Sequence, residues 1–205
     1  SKWQCQECDR ITNSVMVKRF ATKYQRTVGY VAINHDLQSV SLVFRGTLDI
    51  AQVLTDVKFK MKRWPKWVHK SRVHARFLES YWEVSDCLFK KIVELLLKYP
   101  EYHLTISGHS LGAALASIAA VDFIHRNQCL AEKVRVVTFG KPRVGNEAYI
   151  QHYNSLDLDS FSVVNKNDVV PHLPPRLLGY RHESGEVWIK PNCSDYETFF
   201  LPPGG

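Results

Sequence analysis

Residues 102–126 read YHLTISGHSLGAALASIAAVDFIHR, and the five at the centre, Gly108-His109-Ser110-Leu111-Gly112, decide the fold. Tyr102–Ser107 reads as a short strand and Leu111–Arg126 as a helix rich in small residues. Gly-x-Ser-x-Gly between a strand and a helix is the signature of a nucleophile elbow. So sharp a turn forces the serine into a strained backbone region, and glycine is the residue that fits the crowded positions beside it. The turn would lift the Ser110 hydroxyl clear of the sheet and set it at a helix N-terminus, where free N–H groups can stabilise an oxyanion. Ala113, Ala114, Ala116, Ala119 and Ala120 would let that helix approach a sheet closely.

The rest of the chain fits such a fold. Its 205 residues suit one domain with a substantial core, residues 1–205. Apolar residues make up 45% and charged residues 23%, as in ordinary globular proteins. The uncharged run Gly108–Val121 is too short for a bilayer span. Strands alternate with helical patterns, which predicts an α/β fold: a mostly parallel sheet with helices on both faces. Val28–Ile33 and Val40–Phe44 read as strands joined at Asn34-His35-Asp36. Val73–Tyr99 reads as one long helix, stopped by Pro100. Strand Val134–Phe139, a short helix near Asn146–Tyr153, strand Phe161–Val164 and strand Tyr180–Ile189 follow. Ile50, Val53, Leu54 and Val57 give a small helix an apolar face, which periodicity alone places in the core.

The net charge of +7 is uneven. Lys58–Arg72 carries seven basic residues, no acid, and the interleaved Phe59, Met61, Trp64 and Trp67. One reading is a surface for anionic lipid. The other is an edge strand, with Phe59 and Met61 inward and the lysines in water. No recognised module supports nucleic-acid binding. Five cysteines include Cys5-Gln6-Glu7-Cys8, whose setting disfavours a redox or zinc site and favours a local disulfide. Cys87 lies in a helical pattern and is expected to be buried, while the pairing of Cys129 and Cys193 stays open. An oxidising, secreted origin is expected. No signal peptide precedes Ser1, which reads as a cytosolic, processed or trimmed chain.

A serine nucleophile needs an imidazole base, and the base needs a carboxylate, in the order Ser, Asp/Glu, His for this elbow type. Asp168, in Asn165–Pro171 just past a late strand, suits the carboxylate, whereas Asp157 and Asp159 precede that strand. The base is expected after the last strand, yet no histidine follows His182. His182 is the best of three poor candidates. His172 sits in a proline-bound loop, and His109 should point away from the Ser110 hydroxyl. The backbone N–H of Leu111 and Thr47, after Arg45-Gly46, suit the oxyanion hole. No metal or cofactor is called for.

Taken in order, these motifs resemble the filamentous-fungal-type triacylglycerol lipases of lipase class 3, within the α/β-hydrolase fold. The resemblance rests on Trp3–Cys8, Phe44–Thr47, Val73-His74 with Phe77-Leu78, and Gly108–Gly112. It continues through Gly140–Asn146, Asn167–Pro175 and Gly185–Trp188. It implies Ser110 as nucleophile, Asp168 as triad acid, and Thr47 with Leu111 as the oxyanion hole. It also implies a Cys5–Cys8 disulfide and makes Leu48, Asp49, Ile50, Ala51, Gln52, Val53 and Leu54 a lid. A secreted monomer acting on lipid at a lipid–water interface is the expected form. Family members carry the triad histidine in a C-terminal Asp-His-x-x-Tyr-like segment, which does not occur before Gly205; the expectation is a fragment with little activity of its own. The alternatives are a feruloyl-type soluble-ester esterase and a catalytically inactive lipid-surface binding module.

Overall fold

The computed structural model describes residues 11–23, 27–46, 59–190 and 196–199. Along the chain run β1 (Ser14–Ala21), β2 (Val28–Asn34), β3 (Ser39–Phe44), β4 (Met61–Arg63), β5 (Arg72–His74), α1 (Ala75–Trp82) and α2 (Ser85–Lys98). Then come β6 (His103–His109), α3 (Leu111–Arg126), β7 (Val134–Phe139), β8 (Gly145–Asn146), α4 (Glu147–Ser155), β9 (Asp159–Asn165), β10 (Tyr180–Arg181), β11 (Glu186–Ile189) and β12 (Tyr196–Phe199). Among the described residues, eight strands form the main sheet in the order β1-β2-β3-β6-β7-β9-β11-β12. Its centre, from β3 to β11, is parallel, and the pairs at both ends are antiparallel. A four-stranded sheet, β10-β8-β5-β4, lies apart from it.

Register explains which face is packed. Val31 pairs with Leu42, Leu42 with Ile106 and Ile106 with Val136, so these fully buried side chains share one face. The same buried cluster takes in Phe77, Leu78 and Tyr81 of α1, Leu88 and Ile92 of α2, Leu115 and Ile118 of α3, and Tyr149 and Tyr153 of α4. The described helices thus cover one face of the sheet. The opposite face, with Phe139 at 43% and Phe161 at 36% exposure, carries none of them. The mostly parallel α/β sheet is as expected, and the helices of the described residues lie on a single side.

Three local readings need correction. The long helix over residues 73–99 is a short strand followed by two helices, because Val84 leaves helical geometry at φ −125° and turns α2 onto the core. The strand over residues 180–189 is two strands in different sheets, with Glu183 buried between them. Cys87 is exposed on the outer side of α2, its sulfur 2.7 Å from Lys18 Nζ; helical periodicity continued, but the residue fell outside the apolar stripe. The edge-strand reading of the basic stretch holds for Met61–Arg63, the edge strand of the smaller sheet, while Phe59 and Lys60 precede it. Phe59 and Met61 are half-buried, Lys60 and Lys62 exposed. Lys62 pairs with Glu79 at 3.5 Å and lies over the Trp82 ring.

Candidate active site

The elbow forms where the motif places it. Ser110 has φ +52° and ψ −120°, a conformation that costs an L-residue about 1–3 kcal/mol and persists only when its surroundings over-determine it. They do. A Cβ on Gly108 would fall 2.3 Å from the Gly112 carbonyl, and one on Gly112 would fall 2.3 Å from the Phe44 oxygen. β6 and α3 therefore cross at backbone contact, with the end of β3 against them. The Ser110 N–H donates to the Phe139 carbonyl at 3.0 Å, and the Ser110 carbonyl accepts from Ala113 and Ala114. Leu111 opens α3, so its N–H lies at the helix N-terminus, where partial positive charge gathers. α3 is buried without interruption from Gly112 to Ile124.

Asp168 lies at the same end of the sheet, in the loop after β9. Its Oδ1 accepts from the Val170 N–H at 2.9 Å, an Asx turn that fixes the carboxyl orientation. Its Oδ2 occupies the space a side chain at Gly140 would fill, 2.6 Å from the position of that missing Cβ. Gly140, at φ +52°, directly follows Phe139, which holds the Ser110 N–H. The His109 Nε2 lies 3.6 Å from the same missing Cβ. Ser110 and Asp168 thus converge on the C-terminal ends of adjacent strands β6, β7 and β9. An open groove of about 560 Å³, lined in part by Val43, Gly46, Ser107, His109 and Phe139, runs beside them.

The other expected site residues fall differently. Thr47, the lid residues 48–54, Cys5, Cys8 and Cys193 lie outside the described residues. A Cβ on Gly46, just before Thr47, would fall 2.8 Å from the His109 carbonyl oxygen, so Gly46 abuts the elbow. His182 is committed elsewhere: its Nε2 is 2.5 Å from the Pro171 carbonyl, and burial pushes its pKa down to about 4. His172 is exposed, as is His109.

Sequence reasoning assigned no role to a polar junction behind the Asp168 loop. Lys141 and Glu183, each 1% exposed at the side chain, form a buried ion pair. Ser117 of α3 donates to the same carboxylate oxygen at 2.6 Å. Burial alone would push the Glu183 carboxyl up; the Lys141 ammonium and neighbouring hydrogen bonds pull it below the usual range. Arg143, two residues after Lys141, donates to the His172 and Pro174 carbonyls, and its N–H to Leu173 at 2.7 Å. The only advance signal was a lysine and an arginine flanking Pro142 in an otherwise apolar strand exit.

This geometry has close counterparts. The family description "Lipase (class 3)" matches residues 41–178. A lipase of Rhizopus niveus is 34% identical over 199 residues, 96% of this chain and 50% of that protein. A secreted mono- and diacylglycerol lipase of Penicillium cyclopium is 32% identical, covering 97% of this chain and 64% of the relative. The solved structure of lipase II from Rhizopus niveus superimposes with a TM-score of 0.91 at 33% identity, over 97% of this chain and 75% of that one. The chain therefore spans half to two-thirds of the length of these curated relatives. The mostly parallel sheet is thus that of an α/β-hydrolase fold, and the chain belongs to the lipase class 3 family.

Proposed function

We propose that these residues form the catalytic core of a carboxylic-ester hydrolase that cleaves acylglycerols through a serine acyl-enzyme at a lipid interface. One observation carries the reading: Ser110 is held at φ +52° at the start of a buried helix, with the Asp168 carboxylate lodged against the neighbouring Gly140. Ser110 is the nucleophile, Asp168 the carboxylate that orients an imidazole base, and the Leu111 N–H with Thr47 the oxyanion donors. The base is assigned to none of the described histidines. Leu48–Leu54 is the lid, and Cys5–Cys8 the disulfide of a secreted, single-domain monomer. The Penicillium relative, secreted and active on mono- and diacylglycerols by its name, supports both the substrate class and the location.

The test uses the full gene product containing these residues. Emulsified acylglycerol should be hydrolysed faster above substrate saturation than below it, and a fluorophosphonate probe should label Ser110. Ser110→Ala should remove the label and lower ester turnover by roughly four powers of ten or more. Vesicle binding with neither labelling nor turnover would favour the inactive binding module. Higher turnover on soluble aryl esters, with no response to an interface, would favour the esterase.

A further inference from the structure

We infer that the buried Lys141–Glu183 pair is a positioning element for the reaction, setting the Asp168 carboxylate relative to Ser110. This rests on the hydrolase reading above. Lys141 immediately follows Gly140, whose missing side chain makes room for Asp168 Oδ2, and Gly140 is itself anchored by its N–H to Val163 at 2.9 Å. Glu183 immediately follows His182, whose ring nitrogen meets the Pro171 carbonyl three residues beyond Asp168. Arg143, on the Lys141 side, grips the carbonyls of His172 and Pro174. The ion pair thus joins two segments, 140–143 and 182–183, that both hold the loop carrying Asp168. Ser117 brings in a third element, since it lies about two turns along the helix that Ser110 precedes.

Stability alone does not account for the pair. A buried ion pair roughly offsets its own desolvation, and apolar residues of similar volume often serve as well or better. Here Glu183 Oε2 is also buried with no hydrogen-bond partner among the described residues, a further cost. What apolar residues cannot supply is a fixed direction. Two donors meeting at one carboxylate oxygen set the register of three backbone segments at once, where a greasy contact would let them slide.

The experiment compares the full gene product with Glu183→Gln and with the double variant Lys141→Met/Glu183→Leu. The exposed pair on α2 is removed as a control by Lys91→Met/Glu94→Leu. Each protein is melted, then assayed well below its own Tm for fluorophosphonate labelling rate and for kcat and KM on a soluble short-chain ester. The double variant should melt within a few degrees of the parent, yet lose roughly tenfold to hundredfold in labelling rate and kcat with KM little changed, as displaced catalytic groups do. Lys141→Arg, which keeps the charge, should recover part of the loss. Wild-type labelling rates in either folded variant overturn the inference, and so does unfolding of both, which would make the pair a stability element. A parent protein that is never labelled sinks the hydrolase reading instead.

Discussion

The elbow around Ser110 and the loop around Asp168 reach the same end of the sheet by opposite means. The elbow is fixed by contact: two glycines at van der Waals limits and a helix buried along its length leave the serine one conformation. The Asp168 loop is fixed by charge and hydrogen bonds reaching it from residues 143 and 182, with the Lys141–Glu183 pair behind them. One site member is therefore held sterically and locally, the other electrostatically and from a distance. Perturbations should separate them.

The largest effect is expected from Gly112→Ala. Its methyl would meet the Phe44 backbone at 2.3 Å, which cannot yield as a side chain end could. A loss of about 3 kcal/mol or more, near 10 °C in Tm, should appear in thermal melts. A melt unchanged within two degrees would break the steric account of the elbow. Next is Arg143→Met, which leaves the His172 and Pro174 carbonyls short of a charged donor in a buried setting. It should cost about 2 kcal/mol, and hydrogen exchange should speed up over residues 168–174 but not over 110–120. Equal acceleration in both stretches would mean that the two regions are not independently held.

These contrasts explain what could be read in advance. The elbow lies within five consecutive residues, so strand, turn and helix were visible in the string, and α3 runs over the predicted Leu111–Arg126. The place of Asp168, in a loop past a late strand, was legible too. Lys141, Arg143, His182 and Glu183 meet only after the chain has passed through β8, α4, β9 and β10, and no local pattern announces such a meeting. The break at Val84 escaped for a related reason: the apolar spacing runs on unchanged from Tyr81 to Leu88 while the backbone turns. Composition never revealed that the described helices would share one side of the sheet.

Acid should loosen the loop side first. Burial depresses His182 and His74 from the usual 6.5 to about 4, so the unfolded chain binds more protons between those values. Stability is complete above pH 6.5 and falls as pH drops toward 4, by about 1.4 kcal/mol per unit for each histidine. Replacing His182 with Gln should flatten the melting-against-pH curve by one histidine's share. A curve of unchanged slope would remove His182 from the set of groups that sense acid. The smallest effect belongs to Lys62→Met, whose partner Glu79 is more than half exposed. Chemical denaturation should register less than about 0.5 kcal/mol, and a larger value would show that charges far from the site matter as much as the buried junction.

The alanines of α3 carry a last implication. Ala113, Ala114, Ala116, Ala119 and Ala120 are all fully buried, so almost every position along this helix is already at closest approach. Such a scaffold has no compliance to spend on tailoring, since any added methyl would displace Ser110 with it. Divergence in what the site accepts must then be written into the margins of the fold, in loops and strand exits, while the spine beneath stays frozen.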